Sequence, residues 1–103
     1  MLNITKTTEN NALTVALEGR LDTTTAPELE AELKAELKAA LPGVSSLTID
    51  MSKLEYISSA GLRVLLSAQK VMNQQGEMKI TGVNDVIMEI FEVTGFSDIL
   101  NIV

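Results

Sequence analysis

The residues best suited by type and spacing to chemistry lie in one run, Asp50-Met51-Ser52-Lys53-Leu54-Glu55-Tyr56-Ile57-Ser58-Ser59-Ala60-Gly61-Leu62-Arg63. Two adjacent hydroxyls precede two small residues, and an apolar helical pattern follows. One serine serves as the N-cap, its hydroxyl accepting a hydrogen bond from a first-turn amide. The other can then project into water beside the remaining amides. Ala60 and Gly61 leave room for another backbone to come close. A helix start of this kind stabilises an anion by ~0.3–1 kcal/mol. A phosphate added to either serine is therefore compatible with the fold. The same residues also read as a plain serine cap followed by a glycine spacer.

The residue types that are missing narrow the chemistry further. The 103 residues include no His and no Cys. A serine hydrolase would lack its imidazole base, and the Gly-x-Ser-x-Gly elbow is absent as well. A Ser–Lys pair using Lys53 or Lys70 is the one catalytic arrangement left open. Disulfides, thiolate chemistry and ordinary zinc sites have no ligands. Carboxylates alone would favour calcium or magnesium. We expect no enzyme activity, no cofactor and no metal. Eight basic against 14 acidic residues give a net charge of −6, which argues against a nucleic-acid partner. No apolar run approaches the roughly 18 residues of a membrane span. The segment Met1-Leu2-Asn3-Ile4-Thr5-Lys6 lacks a signal-peptide core. The expectation is a cytoplasmic domain that binds neither nucleic acid nor membrane and is monomeric when free.

Four other groups need a reading beside the serines. Arg63 lies one turn beyond Ser59, where it can face a phosphate or an acidic partner, or simply be solvated. Asp22 precedes Thr23 and Thr24 and can cap that turn. Thr23-Thr24-Thr25 weakly resembles a phosphate-binding loop but lacks the glycines that let a backbone wrap phosphate. Tyr56 reads as a residue at the rim of the core.

The elements that must position these groups follow from the hydrophobic periods. Leu2-Asn3-Ile4-Thr5-Lys6 and the run through Leu13, Val15 and Leu17 alternate, and Glu9-Asn10-Asn11 joins them into an antiparallel hairpin. Thr25-Ala26-Pro27-Glu28 is a capping-box pattern, in which the Thr25 hydroxyl would accept from the Glu28 amide. Leu29, Leu33, Leu37 and Leu41 then draw one helical stripe, with Glu30 and Lys34 paired beside it, until Pro42-Gly43 stops the helix. A third strand runs from Val44 to Met51, and Asp50-Met51-Ser52-Lys53 is expected to turn, with Asp50 bonding the backbone two residues on. A mostly buried helix spans Ser59 to Gln75 and stops at Gly76. Met78–Thr81 is a fourth strand. Asn84 or Asp85 then caps a short helix carrying Val86, Ile87, Ile90 and Phe91 and ending near Gly95. Ile99–Val103 is a last strand or strand-like tail after a helical turn at Ser97-Asp98. The methionines Met51, Met72, Met78 and Met88 read as core filler. Residues 1–103 thus form one α/β domain, its mixed sheet opening with an antiparallel hairpin and continuing in parallel β-α-β units.

Taken together, these pieces resemble the STAS domains, and within them the bacterial anti-sigma-factor antagonists. The resemblance covers nearly the whole chain. It rests on the opening hairpin, Glu18-Gly19-Arg20-Leu21-Asp22, Asp50-x-Ser52, Ser59-Ala60-Gly61-Leu62 and Thr94-Gly95-Phe96, all in order. It implies a single STAS-like domain with helices packed on its sheet. It also implies a switch, in which the unphosphorylated form binds an anti-sigma factor serine kinase and so frees a sigma factor. Phosphorylation by that kinase ends the complex, and a metal-dependent serine phosphatase restores it. The resemblance implies Ser59 as the phosphoacceptor, with Ser58 the alternative. Many members have Asp where this chain has Ser58. Partner contacts implied by the same comparison are Asp22, Thr23, Thr24, Ser58, Ser59, Ala60, Gly61 and Arg63. The alternative reading keeps the fold and makes the chain a scaffold or an accessory subunit of a signalling assembly or transport system.

Overall fold

The computed structural model describes residues 2–39 and 45–103. Strands β1 (Leu2–Glu9) and β2 (Ala12–Leu21) lead to helix α1 (Ala26–Ala39), strand β3 (Ser46–Ile57) and helix α2 (Ser59–Gln75). Strand β4 (Glu77–Thr81), helix α3 (Asp85–Thr94) and a 3-10 turn (Phe96–Asp98) complete the chain. The sheet order is β1-β2-β3-β4. The first pair is antiparallel and the next two are parallel, as strand–helix alternation requires.

The hairpin closes at Glu9 and Ala12, with Asn10 in the left-handed region at φ 56°, a conformation asparagine accepts. Alternation then assigns the strand faces. Leu13, Val15 and Leu17 of β2, Leu47, Ile49 and Met51 of β3, and Met78 and Ile80 of β4 are buried in one cluster. Leu29 and Leu33 of α1, Leu65 and Met72 of α2, and Ile87 and Phe91 of α3 close over them. The intervening residues Thr14, Glu18 and Arg20 stay exposed, so the helices share one face of the sheet. Lys6 of β1 reaches both Glu32 and Glu36 of α1 (3.1 Å to Glu36), and Glu30 and Lys34 pair at 3.7 Å as their spacing suggested. Met51, Met72 and Met78 are core residues, while Met88 is half-buried.

Several expectations need correction. Asp50-Met51-Ser52-Lys53 is not a turn; β3 runs on to Ile57 through two irregularities against β2. Ala16 and Glu18 pair with Asp50 and Lys53, and Gly19 and Arg20 pair with Leu54 and Tyr56, so β3 carries an extra residue at each place. The Asp50 side chain still accepts from the Ser52 amide, at 2.9 Å, within the first irregularity. The last strand shrinks to one bridge between Ile80 and Ile102, with Ile80 N–H bonded to Asn101 O and Val103 N–H to Ile80 O, both at 2.9 Å. The helical turn expected at Ser97-Asp98 is present as the 3-10 turn Phe96–Asp98. Gly76 does stop α2, but with an extended backbone: a Cβ there would lie 1.9 Å from Ser45 O. The Leu37 side chain, Leu41, Pro42-Gly43 and Val44 lie outside the described residues.

Candidate functional site

The two parallel crossovers bring the starts of α1 and α2 to the same edge of the sheet, beyond the ends of β2 and β3. At α2 the adjacent serines divide the work. Ser58 is the N-cap, with extended backbone (φ −98°, ψ 174°) and its hydroxyl accepting from Gly61 N–H at 3.3 Å. Its own N–H donates to Leu21 O at 2.8 Å, tying the loop to the end of β2. Its carbonyl accepts from Leu62 N–H at 3.0 Å. Ser59 is the first helical residue and is exposed. Gly61 packs where a Cβ would lie 2.7 Å from Leu21 Cγ and 2.9 Å from Ile57 Cγ1. The glycine therefore lets α2 sit directly on the strand ends.

At α1 the expected capping box does not form. The Thr25 hydroxyl accepts from Asp22 N–H at 2.9 Å and donates to Arg20 O at 2.9 Å, and Glu28 N–H bonds the Thr25 carbonyl, not its side chain. Asp22 supplies the cap. Its Oδ1 accepts from the Thr24 hydroxyl at 2.7 Å and from the amides of Thr24 and Thr25 at 3.0 and 3.1 Å. The Thr24 hydroxyl above all, with the Thr25 and Thr24 amides and the Thr25 hydroxyl, holds the Asp22 carboxyl below the usual aspartate range against the opposing effect of desolvation. Those amides are taken, so Thr23-Thr24-Thr25 is not a phosphate-binding loop. Asp50 is shifted down in the same way by the Ser52 backbone amide and side chain.

Between the two starts lies an open cleft of about 330 Å³, lined by Thr23, Ala26, Pro27, Glu30, Ala60, Arg63 and Val64. It brings together Thr23, Ala60 and Arg63 from the sequence-predicted set. Asp22, Thr24, Ser58, Ser59 and Gly61 do not line it; the first two close the turn beside it, and Ser59 directly precedes Ala60. In the sequence Pro27 and Glu30 read only as parts of the helix, not of the site, although their i, i+3 spacing puts them on one face of α1. The stacking of Arg20 on Tyr56 also went unnoticed, with the guanidinium 4.6 Å from the ring centroid across the second irregularity. Asn84 caps α3 by accepting from Ile87 N–H, and its side-chain amide donates to Leu54 O at 2.9 Å, bracing the same stretch of β3. Among the described residues no group of three or more acidic side chains is arranged to hold a metal ion. No described helix is long and apolar enough to cross a membrane.

The family model described as "Mlab, STAS domain" matches residues 4–102. The chain belongs to the STAS domain family. This STAS domain is 33% identical over 102 residues to the anti-sigma-B factor antagonist of Staphylococcus aureus, a match spanning 98% of this chain and 92% of the relative. Its fold is that of an anti-sigma factor antagonist from Mycobacterium paratuberculosis, with a TM-score of 0.87 at 20% identity over 99% of this chain and 85% of the other. It also matches the Bacillus cell fate determinant SpoIIAA in its phosphorylated form, with a TM-score of 0.76 at 13% identity over 98% and 91% of the two chains.

Proposed function

We propose that this STAS domain is an anti-sigma-factor antagonist, and that its binding to an anti-sigma factor kinase is switched off by phosphorylation of Ser59. The observation that carries the reading is the division between the two serines. Ser58 has its hydroxyl, amide and carbonyl engaged in holding α2, whereas Ser59 stands exposed beside the Thr23–Arg63 cleft. A kinase can reach the second without undoing the first. The relative in Staphylococcus aureus carries the antagonist name at a third identity over almost the full chain, which supports the same role.

The switch acts at the surface. A phosphate adds about −1.5 to −2 charges at pH 7. Two unit charges 4 Å apart interact by ~4 kcal/mol at an effective dielectric of 20. A loss of ~3 kcal/mol against a close-fitting partner weakens binding roughly a hundredfold. The helix start accommodates the phosphate within the domain, so no refolding is required. Asp22 contributes through its second oxygen: its capping bonds converge on Oδ1, and none uses Oδ2. Arg63 and Thr23 supply donors from the cleft, and a metal-dependent phosphatase resets the switch.

The test pairs the chain with the anti-sigma factor kinase of its own organism, with and without ATP. Ser59→Ala is expected to bind that kinase and accept no phosphate. Ser59→Asp is expected to bind at least about tenfold more weakly, the cost of one charge. Stoichiometric phosphorylation of Ser59→Ala would move the site to Ser58. Failure of the unmodified chain to bind the kinase would favour a scaffold or accessory subunit on the same fold.

A further inference from the structure

We propose that α3 and the tail after it present a docking face for a basic amphipathic helix of a partner protein. Residues 80–103 contain no Lys or Arg, and their charged residues are Asp85, Glu89, Glu92 and Asp98. The same stretch holds Val86, Val93, Ile99 and Val103, exposed by 58%, 77%, 49% and 68%; elsewhere among the described residues only Val71 is a large hydrophobic so placed. Scattered exposed aliphatics are ordinary, and what sets Val86 and Val93 apart is that both stand on one helix, α3.

The spacing gives the face its shape. Ile87 and Phe91 turn into the core. Val86, Ile90 and Val93 recur at i, i+4 and i+7 and form a second stripe on α3; Ile90 is half-buried and the two valines are exposed. A ridge of that period accepts the side chains of another helix. The last turn of α3 carries no basic residue, so the negative end of its dipole is also uncompensated.

Charge selects the occupant. A second copy would set Glu89 and Glu92 against their own equivalents, and an anionic membrane or nucleic acid would meet the same repulsion. A helix with aliphatic residues on one side and Lys or Arg along its margins answers both the stripe and the carboxylates. This face includes neither Ser58, Ser59 nor Arg63, so it does not depend on the phosphorylation switch.

The experiment is an amide-resolved NMR titration of the isotope-labelled chain with a synthetic helix of about 18 residues, leucines on one face and lysines at its margins. A counterpart with glutamate in place of lysine is the control. Shifts are expected to concentrate in residues 85–103, and affinity to fall at least tenfold in Val86→Asp/Val93→Asp and also at high salt. Both valines are exposed, so the double variant keeps its fold, which its melting temperature checks. Ser59→Ala is expected to bind the peptide unchanged, which separates this face from the proposed switch. Equal binding of the lysine and glutamate peptides would overturn the proposal. So would shifts centred on the Ser59 edge, or dimerisation of the free chain that Val86→Asp/Val93→Asp abolishes.

Discussion

At the start of α1 the polar side chains turn inward, with Asp22 and Thr25 satisfying the amides and carbonyls of their own loop. At the start of α2 one serine does so and the next is left in water. Amides at both starts need partners: Asp22 Oδ1 takes those of Thr24 and Thr25 in the turn leading into α1, and the Ser58 hydroxyl takes that of Gly61 in the first turn of α2. The α1 start uses a charged cap and the α2 start a neutral one. A charged cap closes its loop against further anions, because the carboxylate already occupies the amides. A neutral cap leaves the positive end of α2 uncompensated, and that is where an added phosphate is best tolerated.

The largest effect is expected at the floor beneath both loops. Gly61 touches Leu21 and Ile57, the last residues of β2 and β3. Gly61→Val is expected to cost about 3 kcal/mol, because branched atoms must displace two fully buried side chains. A denaturant titration measures it. An unchanged midpoint would mean that α2 can lift off the strand ends, and the Ser58–Leu21 bond would then not fix the edge.

Asp22→Ala comes next. It removes the acceptor for the Thr24 and Thr25 amides and for the Thr24 hydroxyl. The melting temperature is expected to fall clearly, by less than for Gly61→Val, and binding to the kinase is expected to weaken as well. A fall in affinity with no change in melting would assign Asp22 to the partner alone, with its cap replaceable by water.

The sequence made the order of strands and helices readable because each element keeps its own period and is bounded by Asn, Pro or Gly. It misled at β3 for a specific reason. Met51, Leu54 and Ile57 are buried at steps of three, and a step of three breaks the alternation that marks a strand. In the fold each step is an extra residue in β3, and the strand continues. The site was legible as a set of residue types, since Ser-Ser-Ala-Gly before an apolar run names a helix start. Which serine caps was not legible, because either hydroxyl can accept an amide. The bond from Ser58 N–H to Leu21 O decides it, and that contact joins residues far apart in the chain. The Asp22 cap was open for the same reason: Thr25 is an equally good cap until its hydroxyl is drawn to Arg20 O.

The two serines are expected to differ by a smaller amount. Ser58→Ala is expected to cost about 1 kcal/mol, the usual value of an N-cap. Ser59→Ala should stay within about 0.5 kcal/mol, as an exposed substitution does. Equal costs for the two would show that they share the cap and would reopen the choice of phosphoacceptor.

The smallest effect is a titration that only the charged cap can show. The Asp22 carboxyl is held below the usual aspartate range mainly by the Thr24 hydroxyl, with the Thr25 and Thr24 amides adding to it. A depressed folded-state value means that the stabilisation is complete above the ordinary aspartate value, about 3.9, and is lost as pH falls through the folded one. Protection of the Thr24 and Thr25 amides, measured against the intrinsic exchange rate at each pH, should therefore fall in acid below about pH 4, while protection at Gly61, capped by the neutral Ser58, should hold over the same range. Asp50 is depressed too, through Ser52, so the assignment needs Asp22→Asn. That variant keeps an acceptor in place, and its Thr24 and Thr25 amides should show no acid transition. If they still loosen together with Gly61, the acid response belongs to the whole edge and the two starts are not independent.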